Sequence, residues 1–350
     1  FILFRCPTSF YNRRKSFAAV LSGVLATLLV AGGCSSSSPA ANNTAANSEA
    51  APASSAAAAA SGSKEIGIVF TDLNNPVFVE MKEAMEAKAK ELGYTTTVLN
   101  SSDSSDTELQ NVQNLISKKV AAICLLPNDA DSAVNTVKAA NNANIPIVGF
   151  NRVIDTKGEC KFVTQDVTDN VSGAVEAGKY AVQLLKDVKD PKIVILRGTS
   201  GVDADKQRYD GFVQGIKGTP LEKAVIAQVN GKFDTQEGFT VMQNVIQAQP
   251  RIDLVYAEND TMALGALQAL EAANRKDTKI IGYDGSKECV QKIAEGKITA
   301  TIAQKFKALG TTAVDWAVKA AEGKADNAPP TISIGTELVT KDNAQGYVFK

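Results

Sequence analysis

The stretch IDLVYAENDTMALGALQALEAANRKDTKIIGYD, residues 252–284, decides the reading of the fold. It opens with a short β-type run at 252–257 and passes through Glu258-Asn259-Asp260. A helical pattern then runs from Met262 to Ala273, and a second β-type run follows at 279–284. Near-continuous Val/Ile/Leu strands joined by a helix belong to parallel sheets that are covered on both faces.

The same unit recurs outward along the chain. Upstream strand candidates are IGIVF (66–70), YTTTVLN (94–100), VAAICLL (120–126), IPIVGF (145–150), CKFVT (160–164), KIVILRG (192–198) and AVIAQV (224–229); ITATIA (298–303) follows downstream. Helical patterns of period near 3.6, such as PVFVEMKEAMEAKAKELG and TELQNVQNLISKK, lie between them. The Met81–Met85 spacing reads as helix core. So many strands overfill one compact sheet, so two sheets and two lobes are expected. A chain of 350 residues is long enough for both.

Composition narrows the function classes. The hydrophobic share of 44% and charged share of 21% are ordinary for a soluble globular protein. With 37 basic and 38 acidic residues and no Lys/Arg block in the body, no nucleic-acid partner is implied. Histidine is absent, which removes the commonest general base and the commonest zinc ligand. Cys6, Cys34, Cys124, Cys160 and Cys289 form no CxxC pair and no even framework. Free thiols are expected at the last three, with a Cys124–Cys160 bridge as the alternative that an exported setting permits. No metal and no cofactor are expected.

The first 63 residues read as an address. Arg13-Arg14-Lys15 precedes an apolar run from Phe17 to Val30, then Ala31-Gly32-Gly33-Cys34. A basic region, a short apolar core and small residues before a cut describe an export signal, and the run is too short for a confident membrane span. The site resembles that of bacterial lipoproteins, with Ala31 where that class usually has Leu. The resemblance implies cleavage before Cys34, a diacylglyceryl group on its thiol, and anchoring to the outer face of the cell membrane. An ordinary cleaved signal is the alternative. Residues 35–63, rich in Ser, Ala and Asn, bury too little to offset ordering entropy and read as a flexible tether.

Ligands of open parallel sheets gather past the carboxyl ends of the strands. Those positions hold Asn74-Asn75-Pro76-Val77-Phe78, Asn151-Arg152, Arg208 beyond a Gly/Asp-rich turn, Lys232-Phe233-Asp234, Asn259, Asp284 and Gln304. Amides, guanidinium groups, a carboxylate and aromatic faces suit a neutral polyhydroxylated ligand, whose hydroxyls donate and accept and whose C–H faces prefer rings. No carboxylate cluster for a metal and no phosphate-cradling glycine loop is present. The inventory describes binding without chemistry.

With these residues in view, the region from 64 onward resembles the ribose-binding branch of bacterial type I periplasmic sugar-binding proteins. The matching stretches are TDLNNPVFVEMK, NANIPIVGFNR, DNVSGAVEAG, QRYDGF, AENDTMALGALQALEAA, IIGYDG and GKITATIAQ, in order and spacing. The resemblance implies an α/β fold of two Rossmann-like lobes with parallel sheets, joined by three crossovers near Thr164–Asp169, Ala303–Lys305 and Ile334–Glu337. The expected lobes are 64–166 plus 305–335, and 167–304 plus 336–350. It implies an ABC permease as partner, a monomer, and hinge closure on the ligand. Carried over residue by residue, Asn75, Asn151 and Arg152 of the near lobe would bond hydroxyls and Phe78 would stack. From the far lobe, Arg208, Asn259 and Asp284 would bond hydroxyls and Phe233 would stack on the opposite face. Gln304, near a crossover, would complete the set.

Two departures bear on specificity. Val77 stands where ribose binders carry a first aromatic, and Asn151 where they carry aspartate. A carboxylate only accepts whereas an amide also donates, so a different hydroxyl pattern is expected, and a hexose, another pentose or a cyclic polyol stands beside ribose. Asp203 and Asp205, in the turn before Arg208, are possible extra acceptors. Structural roles compete at two positions: Asn259 as cap of the helix that follows it, and Ser286 as the cap beyond Asp284. Docking on a chemoreceptor or sensor kinase is the alternative to import. A glycosidase would need a second carboxylate, and Asp284 has no convincing partner. A transcriptional regulator of this fold would carry an N-terminal helix-turn-helix where this chain has a signal and tether.

Overall fold

The computed structural model describes residues 62–347. The expected export signal, Cys34 and all of the tether except Gly62 and Ser63 lie outside the described residues.

Among the described residues, twelve strands fall into two sheets of six. The first holds β1 (Glu65–Phe70), β2 (Thr95–Asn100), β3 (Ala122–Leu125), β4 (Ile147–Asn151), β5 (Gln165–Thr168) and β11 (Thr331–Ile334), in the order β11-β5-β4-β3-β1-β2. The second holds β6 (Ile193–Arg197), β7 (Val225–Asn230), β8 (Leu254–Ala257), β9 (Lys279–Asp284), β10 (Ala300–Ala303) and β12 (Glu337–Thr340), in the order β12-β10-β9-β8-β6-β7. All pairings are parallel except that of β12 with β10.

The helices are α1 (Pro76–Glu91), α2 (Ser105–Ser117), α3 (Ala133–Asn142), α4 (Asn170–Leu185), α5 (Asp203–Ile216), α6 (Thr235–Ala248), α7 (Asp260–Ala272), α8 (Lys287–Ala294), α9 (Phe306–Ala321) and the single turn α10 (Lys341–Ala344). Strand residues alternate between two apolar layers in each lobe. In the first lobe Ile66, Ile68 and Phe70 meet Met81, Met85, Leu309 and Val314 of α1 and α9, while Val69, Ile123 and Leu125 meet Leu115 and Val137 of α2 and α3. In the second, Val194 and Leu196 pack with Met262 and Leu267, and Ile193 and Ile195 with Phe212 and Tyr256. Each such fully buried side chain contributes about 1.5–3 kcal/mol before entropy is counted.

The chain passes between the sheets three times: after β5 into α4, after β10 into α9, and between β11 and β12. The strand expected at 160–164 is displaced. Cys160–Thr164 is irregular, and β5 is the polar sequence QDVT that follows. Its Gln165 and Asp166 are buried despite their polarity, which hid the strand from a reading based on apolar runs. Cys124, Cys160 and Cys289 are free thiols, so the alternative Cys124–Cys160 bridge is not formed; the Cys160 thiol instead lies 3.6 Å from the Val134 carbonyl.

Candidate ligand-binding site

All nine residues singled out from the sequence line one cavity. Asn75, Phe78, Asn151 and Arg152 reach it from the first lobe, and Arg208, Phe233, Asn259 and Asp284 from the second. Gln304 lies on the crossover between β10 and α9.

The backbone at three of these positions is unusual. Asn151, Phe233 and Asp284 have φ of 64°, 58° and 124°. Non-glycine residues rarely adopt such values, least of all a bulky phenylalanine, and strain of this kind concentrates at functional sites. The conformations have local supports. Asn151 and Asp284 are the last residues of β4 and β9. The Phe233 carbonyl accepts from Asn259 Nδ2 at 3.3 Å and from Thr261 Oγ1 at 2.7 Å, and its ring lies against Gly198, where no side chain intrudes.

Caps position two of the amides. Asn75 precedes Pro76, the first residue of α1, and its Oδ1 accepts from Val77 N at 3.3 Å. Asn259 caps α7, accepting from Met262 N at 3.0 Å. Both hydrogens of its Nδ2 go to protein acceptors, Phe233 O and Thr261 Oγ1. Only an Oδ1 lone pair of Asn259 is left for anything else.

A hydrogen-bonded chain links the lobes. Asp284 Oδ1 accepts from Gln304 Nε2 at 2.6 Å and lies 3.2 Å from Arg208 Nη1. The carboxylate fixes which end of Gln304 faces it. Gln304 Oε1 then accepts from Asn151 Nδ2 at 3.1 Å and from Thr168 Oγ1 at 2.5 Å. Asn151 is thereby turned with an amide hydrogen toward Gln304, and among the described residues its Oδ1 has no donor. It offers the cavity an acceptor, while the second Nδ2 hydrogen is a donor that an aspartate would lack.

The two arginines differ in their pairing. Arg208 donates through Nε to Asn170 Oδ1 at 3.0 Å and through Nη1 to Glu258 O at 2.5 Å, and its guanidinium lies 4.0 Å from the Tyr283 ring centroid. Arg152 donates through Nη1 to the carbonyls of Pro127 and Asn128 at 3.3 and 3.2 Å. Burial lowers its pKa, and Asp103 and Asp284 oppose that while Arg208 adds to it. Burial also raises the Asp284 pKa, chiefly against the pull of Arg208 and Gln304. Behind it, burial and then the Asp284 charge push Asp260 up to about 7.

Two further expectations change. Asp203 and Asp205 are the first turn of α5, not of a loop, and neither lines the cavity. Asp205 is held by Arg197 at 2.9 and 2.6 Å, while Asp203 faces Asp129, Asp131 and Asp155 at the rim. Conversely, Asn170 and Phe306 line the cavity and were not singled out. Each begins a helix directly after a crossover, where the sequence offers only an unremarkable Asn or Phe in an amphipathic run. Among the described residues no group of three or more His, Cys, Asp or Glu is arranged to hold a metal ion.

Two α/β lobes, with side chains from both converging on a cavity between them, define a bilobed solute-binding protein. Residues 66–325 match the family described as a periplasmic binding protein domain. The ribose import binding protein of Escherichia coli (strain K12) is 38% identical over 259 residues, covering 74% of this chain and 85% of that protein. Among solved structures, an ABC transporter solute-binding protein from Bacillus halodurans C-125 with bound myo-inositol is 30% identical with a TM-score of 0.73, covering 81% of this chain and 96% of that one. One from Actinobacillus succinogenes with bound D-allose is 28% identical with a TM-score of 0.75, covering 81% and 99%. The chain belongs to the periplasmic binding protein family, in its ribose-binding branch.

Proposed function

We propose that this protein is the extracytoplasmic binding component of an ABC importer, and that it captures a monosaccharide or cyclic polyol between its lobes without altering it. The observation that carries the reading is the convergence of nine ligand-type side chains from two sheets, three of them on strained backbone, around one cavity. Phe78 and Phe233 would stack on opposite sugar faces. Arg152, Arg208 and Asn75 would donate to hydroxyls, Asn151 and Asp284 would accept, and Gln304 and Asn259 would hold these groups in place. Contacts from both lobes exist together only when the cleft is shut, so ligand shifts the population toward the shut form.

Relatives named for import of ribose and solved relatives holding myo-inositol or D-allose support the ligand class and favour delivery to a permease over a purely sensory role. A monomer suffices, because one chain supplies the whole site. Anchoring through a lipid on Cys34 follows from the motif Ala31-Gly32-Gly33-Cys34. Cys34→Ala is expected to move the protein from the membrane fraction to the soluble fraction; wild-type fractionation would refute the anchor.

Charge-assisted hydrogen bonds are each worth about 1.5–3 kcal/mol. Arg152→Ala and Asp284→Ala are therefore expected to weaken sugar binding in calorimetry by about ten- to hundredfold or more while circular dichroism stays native. Wild-type affinity in both would refute the site. Turnover of a bound sugar would refute the binding-only reading.

A further inference from the structure

Phe306 is the first residue of α9, three positions past the end of β10. It borders the ligand cavity together with Val77. The same two residues, with Gln304, border a second, narrow crevice, whose other walls are Glu80, Gly285, Ser286 and Lys307. The ring of Phe306 and the side chain of Val77 thus divide the ligand cavity from a crevice that holds about one water, so most of the room behind them is what the ring itself fills.

The ring is held in place by a run of aromatic contacts. It meets Phe78 edge-on, with centroids 6.4 Å apart and planes at 86°. Phe78 in turn lies 6.1 Å from Phe70, which meets Phe150 edge-on at 5.3 Å in the core of the first lobe. Only 7% of Phe306 is exposed, so the ring has little freedom to swing aside. Beyond it, the crevice is polar. Glu80 pairs with Lys287 at 3.0 Å across the two lobes, and Ser286 stands at the head of α8. Such walls suit a hydroxylated or ether-linked extension of a sugar, and the Phe306 ring bars its entry.

We propose that Phe306 is a specificity-determining residue that sets the length of ligand admitted, acting as an end-stop between the sugar cavity and the crevice behind it. The proposal rests on the sugar-binding reading above and adds the direction in which the ligand cannot grow. One methylene in or out of an apolar pocket changes discrimination by about 10- to 200-fold, so removing a whole ring should register clearly.

The test is calorimetry on the full chain with D-ribose, D-allose and myo-inositol, and with the mono-O-methyl ethers of whichever parent binds. Wild-type protein is expected to reject the ether whose methyl group points at Phe306. Phe306→Ala is expected to accept that ether, the ratio of ether to parent affinity rising by about 10-fold or more. Phe306→Leu, which keeps apolar bulk at the head of α9, is expected to show a smaller shift of the same sign. It also provides the readout if the alanine variant fails to melt cooperatively. An unchanged ratio for every ether, in the alanine variant or in the leucine variant when alanine does not fold, overturns the end-stop and leaves the sugar-binding reading intact. A wild-type protein that binds none of the three parents overturns both.

Discussion

Asp166 shows how one side chain couples this fold to pH. It is fully buried on β5, and neither carboxylate oxygen has a hydrogen-bond partner of normal geometry. Burial pushes its pKa from the ordinary 3.8 up to about 8, against a weak pull from the Asn151 backbone N–H. The folded protein therefore holds this proton through the range from about pH 4 to 8 in which the unfolded chain has lost it. Stability falls as pH rises through that window, by at most about 1.4 kcal/mol per pH unit for this group. Asp166→Asn should flatten the decline, so the difference in urea midpoint between pH 5 and pH 8 shrinks; equal differences in variant and wild type would disprove the assignment. The sequence disclosed the cavity residues because most lie just past strand ends, and the family resemblance picked out Phe78 and Arg208, which stand farther on inside α1 and α5. It could not disclose the polarity of Asn151, which depends on Gln304 and Asp284 more than a hundred positions away. Nor could it separate Asp205, claimed by Arg197, from the true lining residues.

At the scale of elements, the loop after β7 is the most constrained part of the site. Phe233 sits at φ 58°, its carbonyl is held by Asn259 and Thr261, and its ring presses on the Cα of Gly198 just past β6. A Cβ at Gly198 would lie 2.0 Å from the Phe233 ring, a distance no pair of carbon atoms tolerates. Gly198→Ala should displace the ring, weakening ligand binding by about tenfold or more, while the melting temperature moves far less than in a core variant. Unchanged affinity would mean the ring does not contact ligand. Nine of the twelve described strands correspond to sequence runs, most to within a few residues, because strands buried on both faces write long apolar runs. The exceptions have physical causes. β5 carries buried polar residues, and β11 and β12 are four-residue edge strands with several partly exposed positions, visible beforehand only as a crossover.

For the whole molecule, the two lobes are tied at three levels. Three chain crossings join them, the Asn151–Gln304–Asp284 chain spans the cleft, and the Glu80–Lys287 ion pair closes one margin. The exposed ion pair is worth about 1 kcal/mol or less, so it trims the closing equilibrium without deciding it. The buried amide chain is the costlier one to separate, since opening exposes Asp284, Gln304 and Asn151 to water together. The crossings themselves are short, so they are the natural hinge for any relative rotation of the lobes.

Because the chain returns to its first sheet only at α9 and β11, neither lobe is a contiguous piece of polypeptide. Leu309, Ala313, Val314 and Ala317 complete the layer against Met81 and Met85, yet they emerge more than two hundred residues later. A chain growing from its amino end, or threading through an export channel, therefore presents an unfinished first lobe with a bare apolar face until nearly the last of it has arrived.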